Sequence, residues 1–245
     1  MNIITELVVA NRILANEDVV DAYGHVSVRN PENPERFFLA HSKSPSMVET
    51  ADIVEHTLDG QAARPEKRAL YLERFIHAAI YEARPDVIAV VHAHAEDVLP
   101  FTITPPALRP VIHSGAFIGA EVPVWDIADE FGDQTNLLVT NMAQGRGLAR
   151  KLGQRNVALM RGHGFAAAAR SLIDVVRMSV YLPRNARVQF KAMQIEQTRG
   201  SLKPLSQGEI DARAAGTGYK PDSPETQRAW QYWAQRAGVG DLLKK

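Results

Sequence analysis

The chain has 245 residues, with 28 Lys and Arg balanced by 28 Asp and Glu, and no cysteine. That length suits one α/β domain of roughly 200–250 residues whose core buries about 70% of the unfolded surface, so a bound metal would be functional rather than a folding staple. Zero formal charge and no basic run argue against nucleic acid or an acidic membrane as partner, and the missing cysteines exclude disulfides and thiolate ligands.

The segment Met1–Glu6 lacks a basic start, and no apolar run reaches the ~18 residues that span a bilayer, so the expectation is a soluble cytoplasmic protein. Ile3, Ile4, Leu7, Val8, Ile13 and Leu14 recur at helical spacing and predict an amphipathic helix over 3–16. Residues 24–29 and 36–41 read as strands joined by a Pro/Asn turn over 30–34. A second helix is predicted over 66–83, stopped by Arg84-Pro85-Asp86. Val87–Val91 is a continuous, β-branched apolar run, the pattern of a buried central strand. Residues 117–124 and 136–140 are weaker strand candidates, 142–153 is helical and ends at Gly153, and Val157–Met160 is another buried strand. A long helix over 172–197 contains Pro183 and should kink there. Residues 200–222 read as a loose arm, and Ser223-Pro224 opens a final helix carrying Trp230 and Trp233. The pattern predicts a mixed sheet flanked by helices, with a body over 1–199 and an arm plus helix over 200–245 that packs on the body or on a neighbouring subunit.

His92 and His94 leave the buried strand two residues apart, so both imidazoles share one face. Two such rings are costly as unpartnered neutral groups and worse as paired cations, and a divalent ion resolves both. His163, between Gly162 and Gly164 at the end of a second strand, supplies a third nitrogen and leaves coordination positions open, as catalytic sites do. Glu73 precedes the histidine strand on the predicted helix. Periodicity alone makes it a solvated charge, whereas beside a metal-bound substrate it would serve as general acid or base.

In Glu73-Arg74-Phe75-Ile76-His77, Ala83-Arg84-Pro85-Asp86, Val90-Val91-His92-Ala93-His94-Ala95 and Arg161-Gly162-His163-Gly164, the chain resembles the class II aldolase/adducin family from about residue 3 to about residue 197. The resemblance implies a single α/β domain with a mixed, mainly antiparallel sheet. It also implies His92, His94 and His163 as metal ligands, Glu73 as the acid/base, and a homotetramer with sites at subunit interfaces. Mn²⁺ or Zn²⁺ is the implied metal, ahead of Fe²⁺.

The departures bear on substrate. Where the family's sugar-phosphate aldolases cradle phosphate with small polar loops, this chain has Gly24-His25, His41-Ser42-Lys43-Ser44-Pro45 and Tyr71-Leu72. A phosphate cradle needs small residues so that backbone N–H groups reach the anion, and Tyr71 and Leu72 would fill that space. His25, His41, Lys43, Ser44, Tyr71, His113 and the arm residue Tyr219 are the candidate substrate contacts, with Arg29 and Arg109 as further contributors. Tyr219 would act across an interface or remain a free tail residue. His77, one turn after Glu73, would orient it or fill core space.

This lining resembles the decarboxylase branch of the family, which includes 3-hydroxy-2-methylpyridine-4,5-dicarboxylate decarboxylase and 3,4-dihydroxyphthalate decarboxylase. It implies a small hydroxy-aromatic or hydroxypyridine carboxylate as partner, with Glu73 as proton donor and His25 or His113 as further candidates. The alternatives are an aldolase acting on an unphosphorylated hydroxy or keto acid, a non-haem iron oxygenase on the same scaffold, and a non-catalytic adducin-like module.

Overall fold

A computed structural model of the chain describes residues 2–199, 201–215 and 221–244. Its elements run α1 (Ile3–Asn16), β1 (His25–Arg29), β2 (Arg36–Ala40), β3 (Ile53–Thr57), α2 (Arg74–Ala83), β4 (Ala89–Ala93), α3 (Pro100–Ile103), β5 (Val124–Trp125), α4 (Ile127–Phe131), α5 (Met142–Leu152), β6 (Val157–Met160), β7 (Gly164–Ala169), α6 (Leu172–Arg199), α7 (Gln207–Ala215) and α8 (Pro224–Arg236). The seven strands form one sheet in the order β3-β2-β1-β4-β7-β6-β5. Every pairing is antiparallel except β5 with β6. The mixed, mainly antiparallel sheet read from the sequence is therefore present.

The sheet divides the core into two apolar layers. On one side Val91, Ala93, Leu159 and Phe165 meet α1, α6 and α8. On the other Val90, Ala158, Ala166 and Ala168 meet α2 and α5. This alternation of neighbouring residues between layers is the period-2 geometry of a strand covered on both faces. Trp230 and Trp233 of α8 are buried in the first layer of this same chain, and Glu17 after α1 receives both Arg184 and Arg236, at 2.7 and 2.9 Å. Among the described residues no helix is long and apolar enough to cross a membrane.

Several sequence expectations are corrected. The helix predicted over 66–83 starts only at Arg74, because the preceding segment is held by other loops: Ser42 N–H donates to the Ala69 carbonyl at 2.8 Å, and Arg68 Nη1 to that of Ala51 at 2.8 Å. Residues 136–140 form no strand; Leu137 has a positive φ of 66°. In 117–124, a 3-10 turn (His113–Ile118) leads to the two-residue β5. β7 has no counterpart among the strands read from the sequence, because in Gly-Phe-Ala-Ala-Ala-Ala only Phe165 favours a strand. Small side chains suit its central place between β4 and β6, and a Cβ on Gly164 would lie 2.2 Å from the Ala93 carbonyl oxygen. The arm predicted as loose contains α7, whereas the long helix read over 172–197 is present as α6 with Pro183 inside it.

Candidate metal centre

β1 and β4 pair antiparallel with His25 opposite His92, and the β4–β7 pair puts His92 opposite Ala166. His92 lies inside β4, His94 follows one residue past its end, and His163 sits in the tight connection between β6 and β7, after Gly162 at φ 63°. Glu73 is the residue before α2 and makes no cap bond to its own helix. It is 7% exposed, so the solvated charge suggested by periodicity is overturned. Ligand atoms of Glu73, His92, His94 and His163 all lie within 4.8 Å of one another. His92 Nε2 is 2.9 Å from His94 Nε2, and Glu73 Oε2 is 3.3 Å from His92 Nε2 and 3.4 Å from His163 Nε2.

Proton placement decides whether these donors fit a cation, and the hydrogen-bond network fixes it. His92 Nδ1 donates to the Phe165 carbonyl at 3.0 Å, so its Nε2 carries a lone pair. His94 Nδ1 faces Asp21 Oδ1 at 3.3 Å, and a carboxylate only accepts, so His94 Nε2 also carries a lone pair. Two lone pairs and a carboxylate aimed at one small volume repel each other, and a divalent cation relieves that repulsion. The nitrogen and oxygen donor set therefore fits such an ion. Glu73 Oε1 accepts from Val139 N–H at 2.9 Å, which orients the carboxylate. Burial opposes ionisation of Glu73, but without a metal the charge of protonated His92 and the hydrogen bonds from His163 and His92 outweigh it and hold its carboxyl well below the usual carboxylate range. Burial, reinforced by His92 and His163, pushes His94 down to about 4 despite Asp21, leaving it neutral and competent to ligate at neutral pH.

The predicted lining is only partly assembled. His25 is 2% exposed, and its ring centroid lies 5.2 Å from that of His92 and 4.5 Å from that of Tyr71. The Tyr71 hydroxyl donates to the Lys43 carbonyl, and burial pushes this phenol up to about 12. Leu72, expected to fill the site with Tyr71, is instead 62% exposed. His41 and Lys43 both turn to Asp52, at 3.1 and 2.6 Å, and Ser44 pairs with Ser46 at 3.0 Å. Burial resists ionisation of Asp52, yet Lys43, the Glu49 N–H and His41 lower it to about 2. Arg29 is consumed by the carbonyls of Val87, Tyr81, Arg84 and Pro34. His113 and Arg109 are exposed, and no contact joins either to the donor set. Tyr219 lies outside the described residues. His77 does not orient Glu73; it is fully buried and bonds His25 and Ser27.

Sequence reasoning missed Asp21. Its Oδ1 accepts from the N–H groups of Tyr23 and Gly24 at 2.8 and 3.0 Å, an Asx turn that aims the carboxylate at His94. The Asp21-Ala22-Tyr23-Gly24 run ahead of a strand was the available signal. The Phe165 carbonyl and Val139 N–H are backbone groups with no side-chain signature.

A model of the Class II Aldolase and Adducin N-terminal domain matches residues 5–190. Decarboxylase tropJ of Talaromyces stipitatus is 34% identical over 252 residues, covering 94% of this chain and 92% of that protein. A 3,4-dihydroxyphthalate decarboxylase of Arthrobacter keyseri is 29% identical over 243 residues, covering 92% of this chain and 90% of that one. An aldolase II superfamily protein from Pseudomonas syringae superposes with a TM-score of 0.77 at 20% identity, covering 98% of this chain and 93% of that structure.

Proposed function

The chain belongs to the class II aldolase and adducin family, and from that premise we propose that it is a metal-dependent carboxy-lyase acting on a small hydroxy-aromatic or hydroxypyridine carboxylate. Its similarity to two decarboxylases supports the reaction class. The observation that carries the substrate class is the pair of rings, His25 and Tyr71, packed 4.5 Å apart with His25 5.2 Å from His92, in loops that are small and polar in the family's sugar-phosphate aldolases. A flat acid suits that wall better than a phosphate.

His92, His94 and His163 are the proposed ligands, and a divalent ion there, Mn²⁺ or Zn²⁺ before Fe²⁺, would supply Lewis acidity worth several kcal/mol at the oxygen that absorbs charge. Glu73 handles the proton. An incoming substrate carboxylate is a like charge beside it and raises its proton affinity, so the group takes a proton from water. It then gives that proton to the ring carbon bearing the carboxylate. The carbon–carbon bond breaks, its electron pair restores the aromatic ring, CO₂ departs, and Glu73 is left ionised. Val139 N–H keeps the carboxylate aimed through the cycle. The proposed unit is the body over 1–199 with an arm and helix over 200–245 that pack on the body, as α8 does, or on a neighbouring subunit.

The test is incubation of the purified protein with Mn²⁺ or Zn²⁺ and a panel of ortho-hydroxy aromatic and pyridine dicarboxylates, followed by mass spectrometry. EDTA-sensitive loss of the mass of one CO₂ is the expected result. Intact acids throughout, from protein carrying metal, would overturn the carboxy-lyase reading in favour of aldol cleavage.

A further inference from the structure

One helix face and one strand meet along a polar seam beside the metal centre. Glu73, His77 and Tyr81 recur every four residues along α2, and His25 and Ser27 alternate on β1. Four contacts run along the seam. His25 Nδ1 lies 2.6 Å from His77 Nε2, His77 Nδ1 2.6 Å from Ser27 Oγ, and Ser27 Oγ 2.8 Å from the Tyr81 hydroxyl, which reaches the Ile88 carbonyl at 3.4 Å. His77, Ser27 and Tyr81 are all buried, so the chain ends inside the protein.

The dead end sets its direction. A carbonyl can only accept, so the last contact exists only if Tyr81 donates to Ile88. Ser27 must then donate to Tyr81, His77 Nδ1–H to Ser27, and His25 Nδ1–H to His77. Four hydrogens fill four contacts. The reversed chain fills only three and leaves the Tyr81 oxygen with no hydrogen to give the Ile88 carbonyl, which also accepts the Arg29 N–H at 2.7 Å. The filled arrangement leaves His25 Nε2 with a lone pair on the side of the ring away from His77, in the ring that neighbours His92 and Tyr71.

We infer that His77, Ser27 and Tyr81 are positioning residues that lock His25 in its Nδ1–H form, so that His25 Nε2 accepts a hydrogen bond from a ligand hydroxyl and repels an anion at the same spot. This inference rests on the hydroxy-acid reading above and specifies which ligand group meets which atom. It also states what replaces the phosphate cradle: an acceptor suited to a ring hydroxyl, drawing its proton away as the opposite side of the ring takes one from Glu73. Tyr81→Phe should invert the chain. Without the phenol oxygen, the Ser27 hydroxyl finds an acceptor only at His77 Nδ1, which forces His77 Nε2–H toward His25 and places the His25 proton on Nε2. Ser27→Ala breaks the link and frees both forms.

The experiment uses the full-length, Zn²⁺-loaded chain with ¹⁵N-labelled histidine, the His25 signals being assigned by their loss in His25→Asn. Long-range ¹H–¹⁵N spectra should show Nδ1–H with a bare Nε2 in the native chain and Nε2–H in Tyr81→Phe. Calorimetry should show the preference for 2-hydroxybenzoate over benzoate falling about fivefold in Tyr81→Phe, the scale of one neutral hydrogen bond. A native His25 protonated at Nε2 overturns the inference, as does an unchanged hydroxyl preference in both variants. If the native chain binds neither benzoate, the hydroxy-acid reading falls, and the nitrogen spectra still decide the tautomer.

Discussion

Glu73 and His77 stand four residues apart, at and just inside the start of α2, and serve different strands. Glu73 faces His92 of β4 and His163, whereas His77 bonds His25 and Ser27 of β1. Four residues make about one helical turn, so a single helix presents a carboxylate to the proposed metal ligands and an imidazole to the proposed ring-binding wall. This division gives the two residues separable mutational signatures.

Glu73→Gln keeps the shape and the bond from Val139 N–H but cannot carry a proton. Turnover should fall by about 10²–10⁴ while KM changes little. Steady-state kinetics on the substrate found in the decarboxylation panel provide the check, and full activity would remove Glu73 from the chemistry.

Metal binding should be visible in stability. A ligand at a hundredfold its dissociation constant adds about 2.7 kcal/mol, and for a chain of this size Tm should rise by roughly 5–10 °C. His163→Ala should abolish the rise, because it removes one of the ligands of the centre. Calorimetric scans with EDTA and with added Zn²⁺ measure both effects.

Asp21→Asn should weaken metal affinity by about 10–100-fold while leaving the four donors in place. The carboxylate holds His94 Nδ1–H, and an amide no longer demands that proton placement. Competition against a metal-sensitive dye reads the change, and an unaltered affinity would reduce Asp21 to a turn residue.

His56 gives a pH signature separate from the metal centre. Its ring is fully buried and stacked on Phe37 at 5.1 Å, and burial, resisted by the Val54 carbonyl, pushes it down to about 4. The folded state therefore binds fewer protons than the unfolded state between about pH 6.5 and 4. Stability is full above that window and falls as pH drops through it, by about 2–3 kcal/mol for this group. Urea unfolding at several pH values should show the slope in the native chain and a shallower one in His56→Leu.

Gly164→Ala should destabilise the chain by about 2–4 kcal/mol or prevent folding, because the added methyl meets the Ala93 carbonyl oxygen at 2.2 Å and pushes β7 off β4. Circular dichroism during urea titration checks this.

The three clustered histidines were legible because their type and spacing carry the chemistry. The His92-Ala93-His94 step fixes a shared face, and the glycines around His163 mark a tight approach. The family resemblance raised Glu73 above its periodicity, which had placed it in solvent. Other features depended on tertiary contacts. Residues 66–73 are rich in helix formers, yet bonds to Ser42 N–H and the Ala51 carbonyl hold the segment out of a helix. The Ala166–Ala169 run becomes a strand because it pairs on both edges, with β4 and with β6. His41 and Lys43 looked like ligand contacts, but Asp52, eleven and nine residues further on, engages both. The Ser27 and Tyr81 roles appear only when β1 is laid against α2.

The donors of the metal centre are spread from residue 73 to residue 163, and β4 finds its partner β7 only after β5 and β6 have intervened in the chain. An emerging polypeptide therefore holds Glu73, His92 and His94 but lacks His163 until about two-thirds of its length has been made and β7 has slotted in. Closing so long a loop is slow compared with forming local helices. An ion that needs all four donors would be taken up only after the sheet has closed, as a seal on a finished fold that truncated or misthreaded chains would lack.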